Sequence, residues 1–482
     1  MSRTGFGGRL APMSIFDRLL ISTALVAGLW WALSRLRRPD DLQRLSLAAL
    51  VLAASTIVFD GPHWQMVPWQ LLGVAVAAAA ALRHWRPGRS RRWQRVIGRG
   101  AFGLVSVLGS LALLTALVPS LPEPSGPHPV GSEIFRWTDK ARPETLTADP
   151  SDHRQVIAQA WYPTDTTKGR AVPYFEAQHR LPSSIVGLPS FMFASFGAVT
   201  THATFGPPIS AAQHAWPVLV FSPGLSVPRE LYTALCADLA SRGYVVIALS
   251  TPYESAPTVL AHGLVVGQTT HPDVMGPPPH PALERLIDIR SADTSFVLDQ
   301  LSALARTEPG SPIAGHLDMS HVGIVGHSLG GATAVQALSS DPRFRVGVNL
   351  DGKLFGTEPD ARLKQPLLWI QSGGVQTDEY TRGRDRLLGR LRDGGRLVTI
   401  RGAVHMGFSD SPSYWTAAGR NLIGSTAGAG SISAADMTSM TGDTISAFVG
   451  PALGEGANRT IDQVLVQHAA IRAERRIAPK GA

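Results

Sequence analysis

Residues 321–332 read His-Val-Gly-Ile-Val-Gly-His-Ser-Leu-Gly-Gly-Ala: an apolar run, a serine between glycines, then a helical pattern. This is a G-x-S-x-G turn in the strand, sharp bend and helix that such a turn requires. The glycines stand two residues either side of Ser328 because the serine takes a strained backbone and the bend leaves no room for side chains. The bend lifts the hydroxyl clear of a sheet. The dipole and free N–H groups of the following helix then favour negative charge developing beside it.

The chain around this turn alternates short β-rich runs with helical stretches, the pattern of a mostly parallel sheet covered on both faces. Strands are expected at Val156–Trp161, Val218–Ser222, Tyr244–Ser250, His321–Val325, Val346–Leu350, Leu367–Gln371 and Leu397–Ile400. Helices are expected at Glu230–Ser241, Leu283–Ala305, Leu329–Leu338, Asp378–Leu391 and Ile432–Phe448. The result is a doubly wound α/β domain whose sites lie at the carboxyl ends of the strands.

A serine hydroxyl is a poor nucleophile near neutrality, so a histidine must take its proton and a carboxylate must orient that histidine. The order expected is Ser, then Asp or Glu, then His. His405 lies in a loop after a late strand, and it is the expected base. Its rival His468 falls in a helical stretch, Asp462–Ala473, where a solvated histidine is the plainer reading. Asp351 and Asp378 are both candidates for the acid. Asp351 is favoured because it stands at a strand end, whereas Asp378 is several residues out and reads as a helix N-cap. The oxyanion hole needs two N–H donors, expected from Leu329 after the nucleophile and from Leu225 in the turn Ser-Pro-Gly-Leu after an earlier strand.

The first quarter of the chain has another character. Only 17% of the 482 residues are charged, below the roughly 25% of a soluble domain. The net charge of +8 is concentrated here: residues 1–120 hold 14 arginines against 4 aspartates, and the remainder carries 30 basic and 32 acidic side chains. A nearly neutral body has no footprint for phosphate backbones, so nucleic-acid binding is set aside. Four apolar segments, Leu19–Leu33, Leu45–Phe59, Met66–Leu82 and Ala101–Pro119, alternate with arginine-rich loops. They predict three or four transmembrane helices in residues 1–119. By the positive-inside rule, Arg35–Arg44 and Arg83–Arg99 face the cytoplasm. A Pro-rich linker, 120–132, then leads to a catalytic domain, 133–482, on the extracytoplasmic side of a cell membrane. Cys236 is the single cysteine, which rules out disulfides and Cys-rich zinc sites and fits a helix core. No metal or other cofactor is expected.

Several segments resemble the platelet-activating-factor acetylhydrolase family, in its plasma and type II branch with bacterial relatives. They are Leu219-Val-Phe-Ser-Pro-Gly-Leu with Leu231-Tyr and Asp238-Leu-Ala-Ser-Arg-Gly-Tyr, then Gly326-His-Ser-Leu-Gly-Gly-Ala-Thr, and Ile400-Arg-Gly-Ala-Val-His405. The run Asp341-Pro-Arg-Phe-Arg-Val-Gly-Val-Asn-Leu-Asp351 is similar as well, and the resemblance covers roughly Glu133–Gly407. It implies the α/β-hydrolase fold, Asp351 as the acid, and a calcium-independent serine esterase that removes short acyl groups from phospholipid-like or other lipidic esters. The family's usual histidine before the oxyanion glycine is Pro223 here.

The segment Leu188-Pro-Ser-Phe-Met-Phe-Ala-Ser-Phe196 is unusually apolar for a connection between strands, and the resemblance, to a family in which a comparable region touches the lipid surface, implies a lid or lipid interface here, with Leu188, Phe191, Met192, Phe193 and Phe196 as its contacts. Thr251–His280, rich in Pro and His, is expected at the pocket rim. Two function classes follow: a membrane-tethered esterase, or a non-enzymatic membrane protein with a hydrolase-like binding domain. Within the first, an acyltransferase using the same triad is an alternative, because the triad alone does not choose the acceptor.

Overall fold

The computed structural model describes residues 15–33, 39–60, 63–85, 92–176, 190–273, 276–355, 363–391, 394–424, 426, 428, 430–454 and 459–477. Two compact units divide the chain. A helical unit takes Met1–Ser120, Leu188–Val199 and Ser413–Leu422, and a sheet unit takes Leu121–Gly187, Thr200–Pro412 and Ile423–Ala482.

The helical unit contains α1 (Ile15–Leu33), α2 (Pro39–Ser55), α3 (Val67–Trp85), α4 (Arg92–Ala112) and most of α9 (Ala417–Ile423), with a π-helical turn at Thr56–Asp60. Leu20, Ala24, Ala53, Met66, Trp69, Leu72 and Val76 form its core. Gly109 lies so close to the Trp69 indole that a β-carbon would come within 2.7 Å of the ring. Among the described residues no helix is long and apolar enough to cross a membrane. The expected spans therefore differ from the helices that form. The last one starts at Arg92, taking Arg95 and Arg99 into its first turns, and stops at Ala112 instead of running to Pro119. The second is 17 residues long and opens with Asp40 and Asp41. The Arg35, Arg37, Arg38, Arg86, Arg89 and Arg91 loops lie outside the described residues.

The sheet unit is built on strands β1 (Val130–Pro143), β2 (His153–Pro163), β3 (Ala203–Phe205), β4 (Trp216–Ser222), β5 (Val245–Leu249), a small hairpin β6 (Thr258–Val259) and β7 (Val265–Val266), β8 (Leu317–His327), β9 (Phe344–Leu350), β10 (Leu367–Ser372), β11 (Gly395–Ile400) and β12 (Ile471–Ile477). Ten of them form one sheet in the order β12-β11-β10-β9-β8-β4-β5-β2-β1-β3. The six from β11 to β5 are mutually parallel. The β11–β12, β5–β2 and β2–β1 pairs are antiparallel. Both faces are buried, as the near-continuous apolar strands require. Val218, Val220, Ile247 and Ile324 face one core with helices α6 (Pro281–Thr307), α7 (Leu329–Ser340) and α8 (Asp378–Arg390). Leu219, Phe221, Val246 and Val325 face the other, with α5 (Thr233–Ser241), α10 (Ala434–Val449) and α11 (Ile461–Gln467).

All seven expected strands and all five expected helices of this unit form, with ends moved by a few residues. The stretch Asp462–Ala473 behaves differently. Its helix ends at Gln467, and residues from Ile471 pair with β11 as an edge strand. The proline-rich stretch after Ser120 is held against the sheet unit: Ser125 and Gly126 donate to the Asp238 and Ser241 side chains, and β1 already begins at Val130.

Candidate active site

The order of the parallel strands reverses between β4 and β8, and the residues with chemistry converge on the carboxyl ends beside that crevice. Ser328 joins β8 to α7 with φ 56° and ψ −121°, a conformation that the close packing of the turn enforces. A β-carbon on Gly326 would collide with the Gly330 carbonyl, and one on Gly330 with the Ser222 carbonyl, so the glycines serve close approach. Asn349 braces the same corner, its amide oxygen accepting the Gly352 N–H at 2.6 Å.

His405 stands after β11 at the start of a short 3₁₀ turn, His405–Phe408. Its Nε2 is 2.9 Å from Ser328 Oγ and its Nδ1 is 2.8 Å from Asp351 Oδ2. Asp351 directly follows β9, at φ 53°, and is buried, while the His405 side chain is about half exposed (48%). Burial works against the Asp351 charge, but the hydrogen bond and charge of His405, with the Ser372 N–H, hold its carboxyl below the usual range. Asp351 Oδ1 also accepts the Ser372 N–H at 2.9 Å. An acid fixed this way orients the imidazole without competing for its proton.

The other expected residues fall as follows. Asp378 is the exposed first residue of α8, and the N-cap is Thr377, whose hydroxyl accepts the Tyr380 N–H. His468 is half-buried and paired rather than simply solvated: its Nε2 lies 2.7 Å from Asp443 Oδ2. Leu329 opens α7, so its N–H has no carbonyl one turn back to bond. Leu225 follows Gly224, where a β-carbon would sit 3.4 Å from Ser328 Cβ; the turn expected to supply the second oxyanion donor therefore abuts Ser328. The stretch Thr251–His280, expected at the pocket rim, reaches that turn through Gln268, whose amide donates to Ser226 Oγ at 2.7 Å. Cys236 is buried, and burial pushes its thiol well up.

The expected lipid interface belongs to the helical unit. Leu188 lies outside the described residues, and Ser190–Ala198 is a 3₁₀ helix in which only the backbone of Phe191 and Met192 is described. Phe193 packs on Phe196 with ring centres 5.4 Å apart, and Phe196 on Tyr414 at 5.6 Å. Phe196 is thus a core contact of this unit.

Sequence reasoning missed three side chains that enclose the site: Tyr232, Arg290 and His327. All are buried and hydrogen-bonded around the oxyanion turn and the nucleophile. His327, beside the serine, and Tyr232, in the Leu231-Tyr segment, carried a signal by position, and Arg290 carried none.

The sequence model of the family described as platelet-activating factor acetylhydrolase, isoform II, matches residues 118–263 and 302–447. A platelet-activating factor acetylhydrolase of Bos taurus is 28% identical over 317 residues, 60% of this chain and 68% of that protein. One from Cavia porcellus is 26% identical, covering 60% and 69%. A probable 1-alkyl-2-acetylglycerophosphocholine esterase of Arthroderma benhamiae is 28% identical, covering 64% and 82%. Among solved structures, a ferulic acid esterase from Streptomyces cinnamoneus superposes with a TM-score of 0.61 at 27% identity, covering 74% of this chain and 99% of that one.

Proposed function

Because the chain belongs to the platelet-activating factor acetylhydrolase, isoform II, family of ester hydrolases, we propose that it is a serine esterase that cleaves short acyl groups from phospholipid-like or other lipidic esters through an acyl-enzyme on Ser328. The observation that carries this is the single imidazole of His405 bridging Ser328 Oγ and the buried Asp351 carboxylate at 2.9 and 2.8 Å. Ser328 Oγ attacks the ester carbonyl while His405 Nε2 takes its proton. Asp351 holds Nδ1–H and stabilises the imidazolium. The oxyanion meets the backbone N–H groups of Leu225 and Leu329. His405 then gives its proton to the departing alcohol, and water repeats the sequence on the acyl-enzyme.

Short acyl groups are supported by the relatives named acetylhydrolase, and a wider ester range by the ferulic acid esterase neighbour. The test is hydrolysis of p-nitrophenyl esters from acetate to palmitate by the full chain. The reading requires the highest kcat/KM on the shortest esters. A folded protein inactive on every ester would contradict it.

The reading also puts the helical unit in a membrane, with the sheet unit on the extracytoplasmic side. Its support is the arginine asymmetry of the sequence and the apolar surface of this unit, where Leu47, Val58, Phe59, Leu71 and Leu104 are each more than 60% or about 60% exposed. Short helices with charged ends are accommodated by local thinning of the bilayer and by arginines reaching for the headgroups. Flotation of the full chain with phosphatidylcholine vesicles tests it. Protein left at the bottom of the gradient would refute membrane attachment.

A further inference from the structure

The oxyanion turn carries a glycine, Gly224, at the point where its backbone must be held most firmly. Glycine leaves the adjoining peptide planes free to rotate, and Pro223 contributes no polar side chain to stop them. Two buried side chains do so from outside. Arg290 Nη1 donates to the Pro223 carbonyl at 2.7 Å, and the Gly224 N–H donates to the Tyr232 hydroxyl at 3.0 Å. That carbonyl and that N–H are the two ends of a single planar peptide group. Pinning both fixes its rotation, and the next peptide along carries the N–H of Leu225.

The hydrogen-bond polarity continues without a break from this peptide to the catalytic base. His327 Nε2 lies 2.9 Å from the His405 carbonyl oxygen, which can only accept, so Nε2 carries the proton. In a neutral imidazole Nδ1 is then bare, and the Tyr232 hydroxyl 2.7 Å away donates to it. The same phenol oxygen has a lone pair for the Gly224 N–H. His327 stays neutral because burial, reinforced by the charge of His405, pushes its pKa down to about 3. Arg290 is held in turn by Glu254, Nε to Oε2 at 2.8 Å, with both side chains buried.

We propose that Tyr232 and Arg290 are positioning residues of the oxyanion hole: they clamp the Pro223–Gly224 peptide from its two ends, and Tyr232 ties that peptide through His327 to the loop bearing His405. The oxyanion donor and the base are thereby set in one frame. This rests on the esterase reading above. Neither residue touches substrate, so their loss should weaken transition-state binding and leave ground-state binding nearly intact.

The experiment compares Tyr232→Phe, Arg290→Lys and Ser328→Ala in the full chain, using p-nitrophenyl acetate and a methyl trifluoromethyl ketone that places an oxyanion in the hole. Tyr232→Phe keeps the ring against Phe221, 4.8 Å between centres, and deletes only the hydroxyl. Removal of a direct oxyanion donor costs about 10² to 10³ in rate, and loosening one should cost roughly 10- to 100-fold in kcat with KM within about threefold. The ketone should weaken by the same factor as kcat. Arg290→Lys, which retains a buried positive charge but not the planar fork, should show the same kcat-selective loss and keeps the test open if Tyr232→Phe fails to fold. A folded Tyr232→Phe or Arg290→Lys with kcat or ketone affinity within about twofold of the parent would overturn the clamp. If Ser328→Ala retains activity, the esterase site itself is misplaced. If only Ser328→Ala is inactive, the site stands and the clamp alone fails.

Discussion

The two units dispose of apolar side chains in opposite ways. In the sheet unit Val218 and Val220 are sealed beneath α6 and α7 while Leu219 and Phe221, on the same strand, are sealed beneath α5 and α10. In the helical unit Leu20, Met66 and Trp69 are enclosed, yet Leu47, Val58, Phe59 and Leu71 on the same bundle are left in the open. A water-soluble helix turns such a stripe inward. A run of apolar residues therefore says that a segment leaves water, and only packing says whether protein or another medium receives it. The polar chemistry is divided likewise: the triad and the buried Arg290–Glu254 and Arg154–Asp293 pairs all belong to the sheet unit.

The sharpest way to break this division is to remove chemistry from one unit and look for an effect on the other. Ser328→Ala should lower kcat/KM by about 10⁴-fold or more while vesicle flotation is unchanged. Asp351→Asn should cost about 10³ to 10⁴ in kcat through loss of the correct imidazole tautomer, whereas Asp378→Asn should stay within about twofold. Steady-state kinetics on p-nitrophenyl acetate separates these two carboxylates.

Burial gives the next contrast. Leu298, fully buried on α6, should lose about 2–5 kcal/mol of stability on truncation to alanine. Leu71, 60% exposed on α3, should lose no more than about 0.5 kcal/mol by the same change. Urea denaturation reads both, and an equal loss at the two sites would erase the distinction between the units.

The last contrast concerns pH. Asp410, just after the His405–Phe408 turn, is buried against the start of α5, its oxygens accepting the Ala234 N–H and the Tyr174 hydroxyl, each at 3.1 Å. Burial pushes its carboxyl up to about 7. The unfolded value is about 3.9, so the folded chain holds an extra proton between those limits. Stability must then fall as pH rises from about 4 to 7 and level off above. Asp410→Asn should flatten that slope in denaturation midpoints measured across the window.

Much of the sheet unit is legible in the sequence because its parallel strands are buried on both faces and read as plain apolar runs. The edges are not. β1, next to the edge and paired with β3 only over Val130–Ser132, carries Glu133, Arg136, Asp139 and Lys140, and the edge strand β12 carries Arg472, Glu474, Arg475 and Arg476, so neither shows an apolar run. Edge strands take such charges to discourage pairing with other chains. The serine, acid and base were legible since each follows a strand in a fixed order. The roles of Tyr232 and Arg290 were not, because Arg290 lies 67 residues from the Pro223 carbonyl it bonds and Tyr232 lies 95 from His327, and only the fold brings them together. The helical unit misled at its boundaries: arginines that read as loop residues extend the start of α4.

The central claim is that Ser328 is acylated in turnover. The direct measurement is mass spectrometry of the full chain acid-quenched within the first turnovers of p-nitrophenyl acetate, followed by peptide mapping. The account predicts one acetyl group on the peptide bearing Ser328, accumulating in Asp351→Asn more slowly and never in Ser328→Ala. Hydrolysis with no acylated peptide, or the acetyl group on another residue, would contradict it.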